Sequence, residues 1–289
     1  MPAASRPDRT TARGSTFGGS EYEHRSQPDA GPPQPVTKAA RSPRDGPTLW
    51  VVSLDDLAGE PICIQVLNAE ERRRTHRFHS RRLARRYTAG RAALRMLLGA
   101  ALDLAPQAVP LETGPLGKPQ LACRASISFN LAHCDETAVI GLTAGDEIGV
   151  DIESSIHVHD PCRVAARFFA PSETAILAAL APDLATTAFL RCWTVKEAVL
   201  KALGVGLSLS LDAVVVDADP RVPLRLRRVP PPGRPLDWTL DAPLVPDRRL
   251  AVAVAIAAPE APTTSVRTFD LEAFAVTRSS RRRPLARAR

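Results

Sequence analysis

The longest periodic pattern of apolar residues lies between Thr186 and Leu203, in the sequence TTAFLRCWTVKEAVLKAL. At about 100° of rotation per residue, the apolar side chains of this stretch share one arc, as they do in a buried helix. They are Phe189, Cys192, Trp193, Val195, Val199, Leu200 and Leu203. The pattern predicts a helix over residues 186–203. The charged Lys196 interrupts the arc near its centre.

Two charged residues lie where this helix turns from its apolar face to its polar face. Glu197 lies at the edge of the arc and Lys201 follows one turn later, so the two side chains can pair at i, i+4 spacing. Taken alone, the stretch is typical of a surface ion pair beside a lysine that extends its ammonium group to solvent. The alternative is that these charges belong to a functional site.

Upstream of the helix, an alternation of apolar and polar residues predicts β-strands. Residues 137–153 read TAVIGLTAGDEIGVDIE, which is two apolar runs joined by a turn signal at residues 144–147, and the pattern predicts a β-hairpin. In the second run Asp151 and Glu153 share one face with Gly149. Carboxylates at i and i+2 of a strand lie about 7 Å apart, so their oxygens can converge on a hard cation such as Mg²⁺. A solvated strand edge would give the same pattern.

The first part of the chain predicts a strand at residues 49–54 and a helix that Asn68 caps. A second helix is predicted over residues 84–104, and ten arginines lie between Arg72 and Arg95. A solvated helix face accounts for most of these arginines, while a few could face a polyanion. A turn-rich loop follows at residues 114–119, and then a strand at residues 127–131 that ends at Ala132-His133-Cys134.

Beyond the predicted hairpin, two helices are predicted at residues 164–169 and 173–180, the second capped by Ser172. His157 and His159 alternate with apolar residues as on an exposed edge, and the pattern assigns them no role. Further strands are predicted at residues 213–216, 237–240 and 250–257.

Charge is concentrated in the two tails. The net charge is +7 and the isoelectric point is near 9.6. Residues 1–47 carry seven basic and five acidic side chains and the last fourteen residues carry six arginines, so the central part has a net charge of −1. The basicity thus belongs mostly to the tails and says little about what the folded part binds. No nucleic acid is expected as a partner. Residues 1–47 and 278–289 lack an apolar period, which predicts disorder.

The five cysteines are Cys63, Cys123, Cys134, Cys162 and Cys192. They are odd in number and lack C-x-x-C spacing, which indicates free thiols in a reducing compartment and neither a disulfide framework nor a zinc site. No stretch has the length and apolarity of a membrane span, and the N-terminus has no secretory pattern. The expected location is the cytoplasm.

Taken together, these stretches resemble the signature of the 4'-phosphopantetheinyl transferases. The similarity lies in Gly149-Val150-Asp151-Ile152-Glu153, in Phe168-Phe169 with Glu173, and in Trp193-Thr194-Val195-Lys196-Glu197 with Lys201. The closer match is the two-halved, surfactin-synthetase-activating type, because the resemblance extends from about residue 52 to residue 258.

The resemblance implies an α+β fold of two similar halves related by a pseudo-twofold and flanked by disordered tails. The implied segments are a tail at 1–47, a coenzyme A-binding half at 48–144, a catalytic half at 145–277 and a basic tail at 278–289. It also implies transfer of the phosphopantetheine arm of coenzyme A to a serine of an apo acyl or peptidyl carrier protein, with release of 3',5'-ADP. Such an enzyme, of the holo-[acyl-carrier-protein] synthase type, would be a monomer that serves fatty acid, polyketide or peptide synthesis, including secondary metabolism.

The resemblance also assigns residue roles. Asp151, Glu153 and Glu197 would hold Mg²⁺, and Lys201 would neutralise a phosphate oxygen. Asp151, Glu197 and Lys201 form the implied catalytic set, and Glu173 is a minor candidate near it. The pattern leaves open whether Glu197 or a water molecule on the metal accepts the serine proton.

Four residues of the first half, together with Lys201, would bind coenzyme A: Arg74, Arg86, Lys118 and His133. The family commonly has Ser-His-Ser where this chain has Ala132-His133-Cys134, so this chain lacks those two hydroxyls. Two other functions remain open: a polyanion-binding (RNA) module without catalysis, and an inactive relative that only binds coenzyme A.

Overall fold

The structure, a computed structural model, describes residues 46–114, 117–122, 126–231 and 233–275. The disorder predicted for residues 1–47 and 278–289 therefore concerns stretches outside the described residues, apart from Gly46 and Pro47. Pro47 is buried, and its carbonyl oxygen accepts a hydrogen bond of 2.9 Å from the Ser265 N–H. The folded part thus includes residues just before the first strand.

The seven α-helices are α1 Leu54–Leu57, α2 Pro61–Gln65, α3 Ala69–Thr75, α4 Arg81–Leu102, α5 Pro161–Phe168, α6 Pro171–Ala178 and α7 Pro182–Leu203 among the described residues. The strands in the same part of the chain are β1 Thr48–Ser53, β2 Leu111–Thr113, β3 Pro119–Leu121, β4 Ile127–Cys134, β5 Thr137–Ala144, β6 Ile148–Ser154, β7 Val215–Val216, β8 Leu226–Arg228, β9 Thr239–Asp241, β10 Leu250–Ile256 and β11 Ser265–Thr268. This content confirms the predicted α+β class.

Two main sheets organise the fold. The first has the strand order β11-β1-β5-β4, in which β11 runs parallel to β1 and the other pairs are antiparallel. The second is antiparallel and has the order β6-β10-β9. Two short hairpins, β2-β3 and β7-β8, lie beside them. The chain therefore returns at β11 to the sheet that β1 began.

The hairpin predicted over residues 137–153 is wrong, although both of its strands exist. The strand β5 is paired on both sides, with β1 and β4, and β6 pairs with β10 in the other sheet. Because both edges of β5 are already occupied, β6 cannot pair with it. The turn between them, where Gly145 has a φ of 92°, carries the chain from one sheet to the next.

Each main sheet supports one 22-residue helix. The apolar face of α4 packs on β1, β4 and β5, with Ala89, Leu94 and Leu98 fully buried. The helix α7 packs on the second sheet, against Ala253 and Ala255 of β10. A third apolar cluster joins β1, β4 and β5 to β6 and β10.

Three local predictions need correction. The helix predicted at 186–203 begins one turn earlier, at Pro182, because proline fits the first helical position. Ser172 does not cap α6: Ala170 is the N-cap residue, and the Glu173 side chain accepts the Ala170 N–H bond. The strand predicted to end at Leu131 continues to Cys134, because β5 pairs with it over that length.

The later strands lie near their predicted positions, with β7 reduced to two residues by a 3-10 turn at Leu211–Ala213. Four cysteines, Cys63, Cys134, Cys162 and Cys192, are free thiols as predicted, and Cys123 lies outside the described residues. Within the described ranges no helix has the length and apolarity needed to cross a membrane.

Candidate active site

Asp151 and Glu153 of β6 face the helix α7. The reason is Gly149 on the same face of the strand: a Cβ there would lie 1.9 Å from the Ala198 carbonyl oxygen and 2.5 Å from the Ala202 nitrogen. Only a residue without a side chain permits this approach. The predicted alternation of β6 is thus correct, and the glycine brings polar residues of α7 next to the two carboxylates.

Lys201 of α7 pairs directly with Asp151. Its Nζ donates to Oδ1 of Asp151 at 2.5 Å. The Lys201 side chain is 32% exposed, whereas that of Asp151 is 6% exposed. Lys201 therefore joins a buried carboxylate to a surface that a ligand can reach.

The second carboxylate oxygen of Asp151, Oδ2, is in an unusual environment. Oδ2 is buried and has no hydrogen-bond partner within the described part of the chain. Burial raises the pKa of Asp151 to about 7, against the opposing effect of Lys201, and the charges of Glu153 and Glu197 raise it further. A buried carboxylate oxygen without a partner is costly in the absence of a ligand.

Glu153 and Glu197 complete the acidic group. Burial raises the pKa of Glu153, while Lys201 and a hydrogen bond from Trp193 lower it and the charge of Glu197 raises it. Both glutamates are partly buried. Glu153 thus lies within the electrostatic influence of both Lys201 and Glu197.

The three carboxylates do not converge on one point in this structure. Among the described residues, Asp151, Glu153 and Glu197 do not form a group whose ligand atoms all lie within 4.8 Å of one another. One Asp151 oxygen is held by Lys201 instead. The all-oxygen donor set and the partnerless Asp151 oxygen nevertheless fit a hard divalent cation of the Mg²⁺ class.

His133 lies near this group from the other sheet. Loss of hydration, followed by the positive charges of Lys201 and Arg86, lowers the pKa of His133. The residue lies within β4, paired with Ala138, and not after the end of the strand. Its neighbours Ala132 and Cys134 are buried in the apolar cluster between the sheets. The positions that hold hydroxyls in the resembling family thus face away from His133.

Arg86 is already paired. Its guanidinium group makes two hydrogen bonds to Asp55, at 2.7 and 2.6 Å, and lies 3.6 Å from Glu136. The side chain of Arg86 is 13% exposed. Its charge contributes to the field at His133, but much of it is compensated by Asp55.

Lys118 and Arg74 lie at different distances from the centre. The Lys118 Nζ donates to Glu147 at 3.2 Å and to the carbonyl oxygen of Ala202 at 3.3 Å, so this lysine lies beside the C-terminal end of α7. Arg74 is exposed on α3, where its guanidinium group lies 5.4 Å from the centroid of the Tyr87 ring. The structure thus brings Lys118 next to Ala202, the residue that follows Lys201, whereas the Arg74 side chain contacts Tyr87 of α4.

Glu173 and Lys196 belong to the core. The Lys196 Nζ donates to Glu173 at 2.7 Å, and the two side chains are 0% and 1% exposed. Lys196 also donates to the carbonyl oxygens of Leu211 and Val214, and Glu173 accepts the N–H bonds of Ala170 and Val216. Lys196 therefore does not extend to solvent. Glu173 is a structural residue, because its carboxylate is fully engaged in the core.

Sequence reasoning missed Asn130. Its Oδ1 accepts a hydrogen bond of 3.0 Å from the Val150 N–H, and the residue is 5% exposed. This bond joins β4 and β6, the facing edge strands of the two sheets. A polar residue in the apolar run at 127–131 was the available signal. Asn130 fixes β6 one residue from Asp151.

Comparisons with known proteins all point to one family. Residues 147–255 match the family model described as the 4'-phosphopantetheinyl transferase superfamily, and residues 55–144 match the model of the N-terminal part of a 4'-phosphopantetheinyl transferase. The 4'-phosphopantetheinyl transferase HetI of Nostoc sp. is 34% identical over 72% of this chain and 86% of its own length.

Two further proteins are similar over shorter stretches. A 4'-phosphopantetheinyl transferase of Bacillus subtilis is 32% identical over 54% of this chain and 69% of its own length. The crystal structure of holo-[acyl-carrier-protein] synthase from Thermotoga maritima aligns with a TM-score of 0.33 at 21% identity. That alignment covers 39% of this chain and 64% of the other.

Proposed function

Because the chain belongs to the 4'-phosphopantetheinyl transferase family, we propose that it transfers the phosphopantetheine arm of coenzyme A to a carrier-protein serine. The observation that carries the proposal is the Lys201–Asp151 pair, with its partnerless buried oxygen beside Glu153 and Glu197. Positioned charges of both signs are what a phosphoryl transfer requires from a protein.

Asp151, Glu153 and Glu197 would hold Mg²⁺. When bound, the cation would neutralise the pyrophosphate of coenzyme A and make the phosphorus easier to attack. The partnerless Oδ2 of Asp151 and the all-oxygen donor set support this assignment.

The residues of the chain would act on the reacting groups directly. The Lys201 ammonium group would bind a phosphate oxygen and offset its growing charge. The serine oxygen would form a bond to phosphorus as the bond to 3',5'-ADP breaks. The hydroxyl proton would pass to a nearby base, for which Glu197 is the candidate that this chain supplies. His133 would donate an N–H hydrogen bond to a phosphate; in the chain without coenzyme A, burial and the charges of Lys201 and Arg86 lower its pKa.

Coenzyme A would extend from this centre towards the first half of the chain. Lys118 lies beside the end of α7 and would contact the nucleotide. Arg74, which is exposed, would bind the 3'-phosphate, and Arg86 would assist as a partly compensated charge. Each of these contacts would be the same before and during the reaction, so they would contribute to binding more than to turnover.

The acceptor would be an apo acyl or peptidyl carrier protein, as for a holo-[acyl-carrier-protein] synthase in fatty acid, polyketide or peptide synthesis, including secondary metabolism. The proposed halves, residues 48–144 and 145–277, contribute charges to one centre, which supports a monomer. We place the activity in the cytoplasm, where coenzyme A and carrier proteins would both be available.

The test is to incubate the full chain with coenzyme A, Mg²⁺ and a panel of purified apo carrier proteins, and to weigh the products by mass spectrometry. We expect one carrier or more to gain a single phosphopantetheine, with 3',5'-ADP in equal amount. No mass gain on any carrier, at enzyme and carrier concentrations at which a known transferase modifies the panel, would overturn the proposal.

The same preparation tests the two other functions. If the chain were an RNA-binding module, its affinity for RNA would fall steeply with salt concentration and would not depend on Mg²⁺. An inactive relative would bind coenzyme A without modifying a carrier. The three carboxylates around Lys201 argue against the first function, because simple polyanion binding has no use for them. The presence of all the charged residues argues against the second, an inactive relative.

A further inference from the structure

A cysteine, an aspartate and a histidine meet at the junction of the two main sheets. Cys134 ends β4, Asp135 begins the turn to β5, and His157 ends the 3-10 turn Ser155–His157 after β6. One ligand atom from each of the three lies within 4.8 Å of the other two. The pattern of the sequence gives no sign of this, because residues 134–135 and residue 157 come from opposite sides of the predicted boundary.

The Asp135 carboxylate contacts both other side chains, and its contact with His157 is a hydrogen bond. The Asp135 Oδ2 lies 2.6 Å from the Nε2 of His157 and 3.9 Å from the Sγ of Cys134. In a tetrahedral zinc site with bonds of about 2.0 to 2.3 Å, the ligand atoms lie roughly 3.3 to 3.8 Å apart. To bind one metal ion, the Asp135 and His157 ligand atoms would have to move apart from their present distance by about 1 Å. Both of these side chains are partly exposed, at 40% and 54%, and can move.

We propose that Cys134, Asp135 and His157 form a binding site for a borderline-soft divalent cation of the Zn²⁺ class. The donor types carry this assignment: a thiolate and an imidazole favour Zn²⁺ or Co²⁺ and disfavour Mg²⁺. Three protein ligands leave one coordination position for water, as in zinc sites that remain open. The exposed side of the group, at Asp135 and His157, gives the ion a path of entry.

The site is separate from the proposed Mg²⁺ ligands but close to them. The charge of Glu153 raises the pKa of Cys134, and His157 lowers that of Glu153. The Cys134 thiol is buried and would give up its proton on binding a metal ion. Because the two sites are neighbours, a test must show which residues hold the ion.

The experiment is a titration of the reduced, metal-free full chain with Co²⁺, followed by absorption spectroscopy. We expect a thiolate-to-cobalt charge-transfer band that Zn²⁺ abolishes and a large excess of Mg²⁺ leaves in place. Cys134→Ser should remove the band. His157→Ala, at an exposed position that does not endanger folding, should weaken Co²⁺ binding at least about tenfold.

Two matched controls separate this site from its surroundings. Cys162→Ser removes a different free thiol, which is less buried than that of Cys134, and should leave the band unchanged. Glu197→Gln changes a proposed Mg²⁺ ligand and should also leave it unchanged. The absence of a band in the parent chain would overturn the proposal. A band that persists in folded Cys134→Ser, or Co²⁺ binding that is unaltered in His157→Ala, would do the same.

Discussion

Gly149 of β6 and Ala198 of α7 are in backbone contact, so close that a Cβ on the glycine would lie 1.9 Å from the alanine carbonyl oxygen. This contact sets the distance between the strand that carries Asp151 and Glu153 and the helix that carries Glu197 and Lys201. The geometry of the candidate active site therefore depends on a residue that takes no part in its chemistry.

We expect Gly149→Ala to force β6 and α7 apart. The cost should exceed the 1 to 3 kcal/mol that is typical of an overpacked core, because the clash is with backbone atoms that cannot rotate away. Chemical denaturation measures it. Gly59→Ala is the matched control, since its Cβ would approach only the Arg85 side chain, at 3.8 Å. Equal stability of the two variants would contradict the packing described here.

The buried pair of Lys196 and Glu173 gives a second prediction. Lys196→Met should destabilise the fold by about 3 to 5 kcal/mol, because it leaves the Glu173 carboxylate buried without its cation. Adding Glu173→Gln should recover part of the loss, since the amide is neutral and its oxygen can still accept an N–H bond. Urea unfolding of the single and double variants tests this.

The exposed pair of Arg163 and Asp160 is the control for that series. Their side chains are 84% and 52% exposed, so Arg163→Met should change stability by less than about 1 kcal/mol. A loss in Lys196→Met that is no larger than the loss in Arg163→Met would show that the Lys196 pair is not a structural element.

The raised pKa of Asp151 leads us to expect that the stability of the fold depends on pH. Burial raises its pKa from 3.8 to about 7, so between these pH values the unfolded chain has lost a proton that the folded protein keeps. Stability from this group therefore falls as the pH rises through that range. With divalent cations chelated, Asp151→Asn should be more stable than the parent above pH 7, by at most about 4 kcal/mol. The difference should vanish near pH 4.

Thermal unfolding at several pH values measures the effect. Asp146→Asn, at an exposed position in the turn before β6, should give the same curve as the parent. An Asp151→Asn protein that is less stable than the parent above pH 7 would mean that the pair with Lys201 outweighs the cost of burying the carboxylate.

Substitution of Lys118 or Arg74 should affect the binding of coenzyme A and leave turnover nearly unchanged. Lys118→Ala and Arg74→Ala should raise the KM for coenzyme A by about tenfold, the effect of one lost charge-assisted hydrogen bond. The kcat should stay within about a factor of two, because the contact is equally strong in the ground and transition states. Arg163→Ala is the control for lost positive charge. A fall in kcat at unchanged KM would place Lys118 or Arg74 at the reacting atoms instead.

The sequence predicted what depends on local pattern. The helix around Lys196, the alternation in β6 and the cap at Asn68 each follow from the spacing of neighbouring residues, and the structure has all three. Asp151, Glu197 and Lys201 could be grouped because the family motif brings together stretches that pattern alone leaves separate.

What the sequence could not predict depends on contacts between distant residues. The pairing of β6 with β10 depends on a strand that lies about a hundred residues away, so the local turn signal at Gly145 favoured a hairpin. The pairing of Arg86 with Asp55 and the burial of Lys196 against Glu173 likewise depend on how elements pack. The group formed by Cys134, Asp135 and His157 has the same origin, since the fold alone unites its members.

The central claim is that Glu197, with Asp151 and Lys201, forms the transferase centre, and Glu197→Gln tests it most directly. The substitution keeps the size and shape of a partly buried side chain, so the thermal midpoint should stay close to that of the parent. Asp183→Asn, at an exposed position on the same helix, is the control for a lost carboxylate. The measurement is kcat/KM for carrier modification at saturating Mg²⁺. We expect Glu197→Gln to lose at least about a hundredfold, as losses of positioned charge do, and Asp183→Asn to match the parent. A folded Glu197→Gln protein that modifies the carrier at the parental rate would contradict the account.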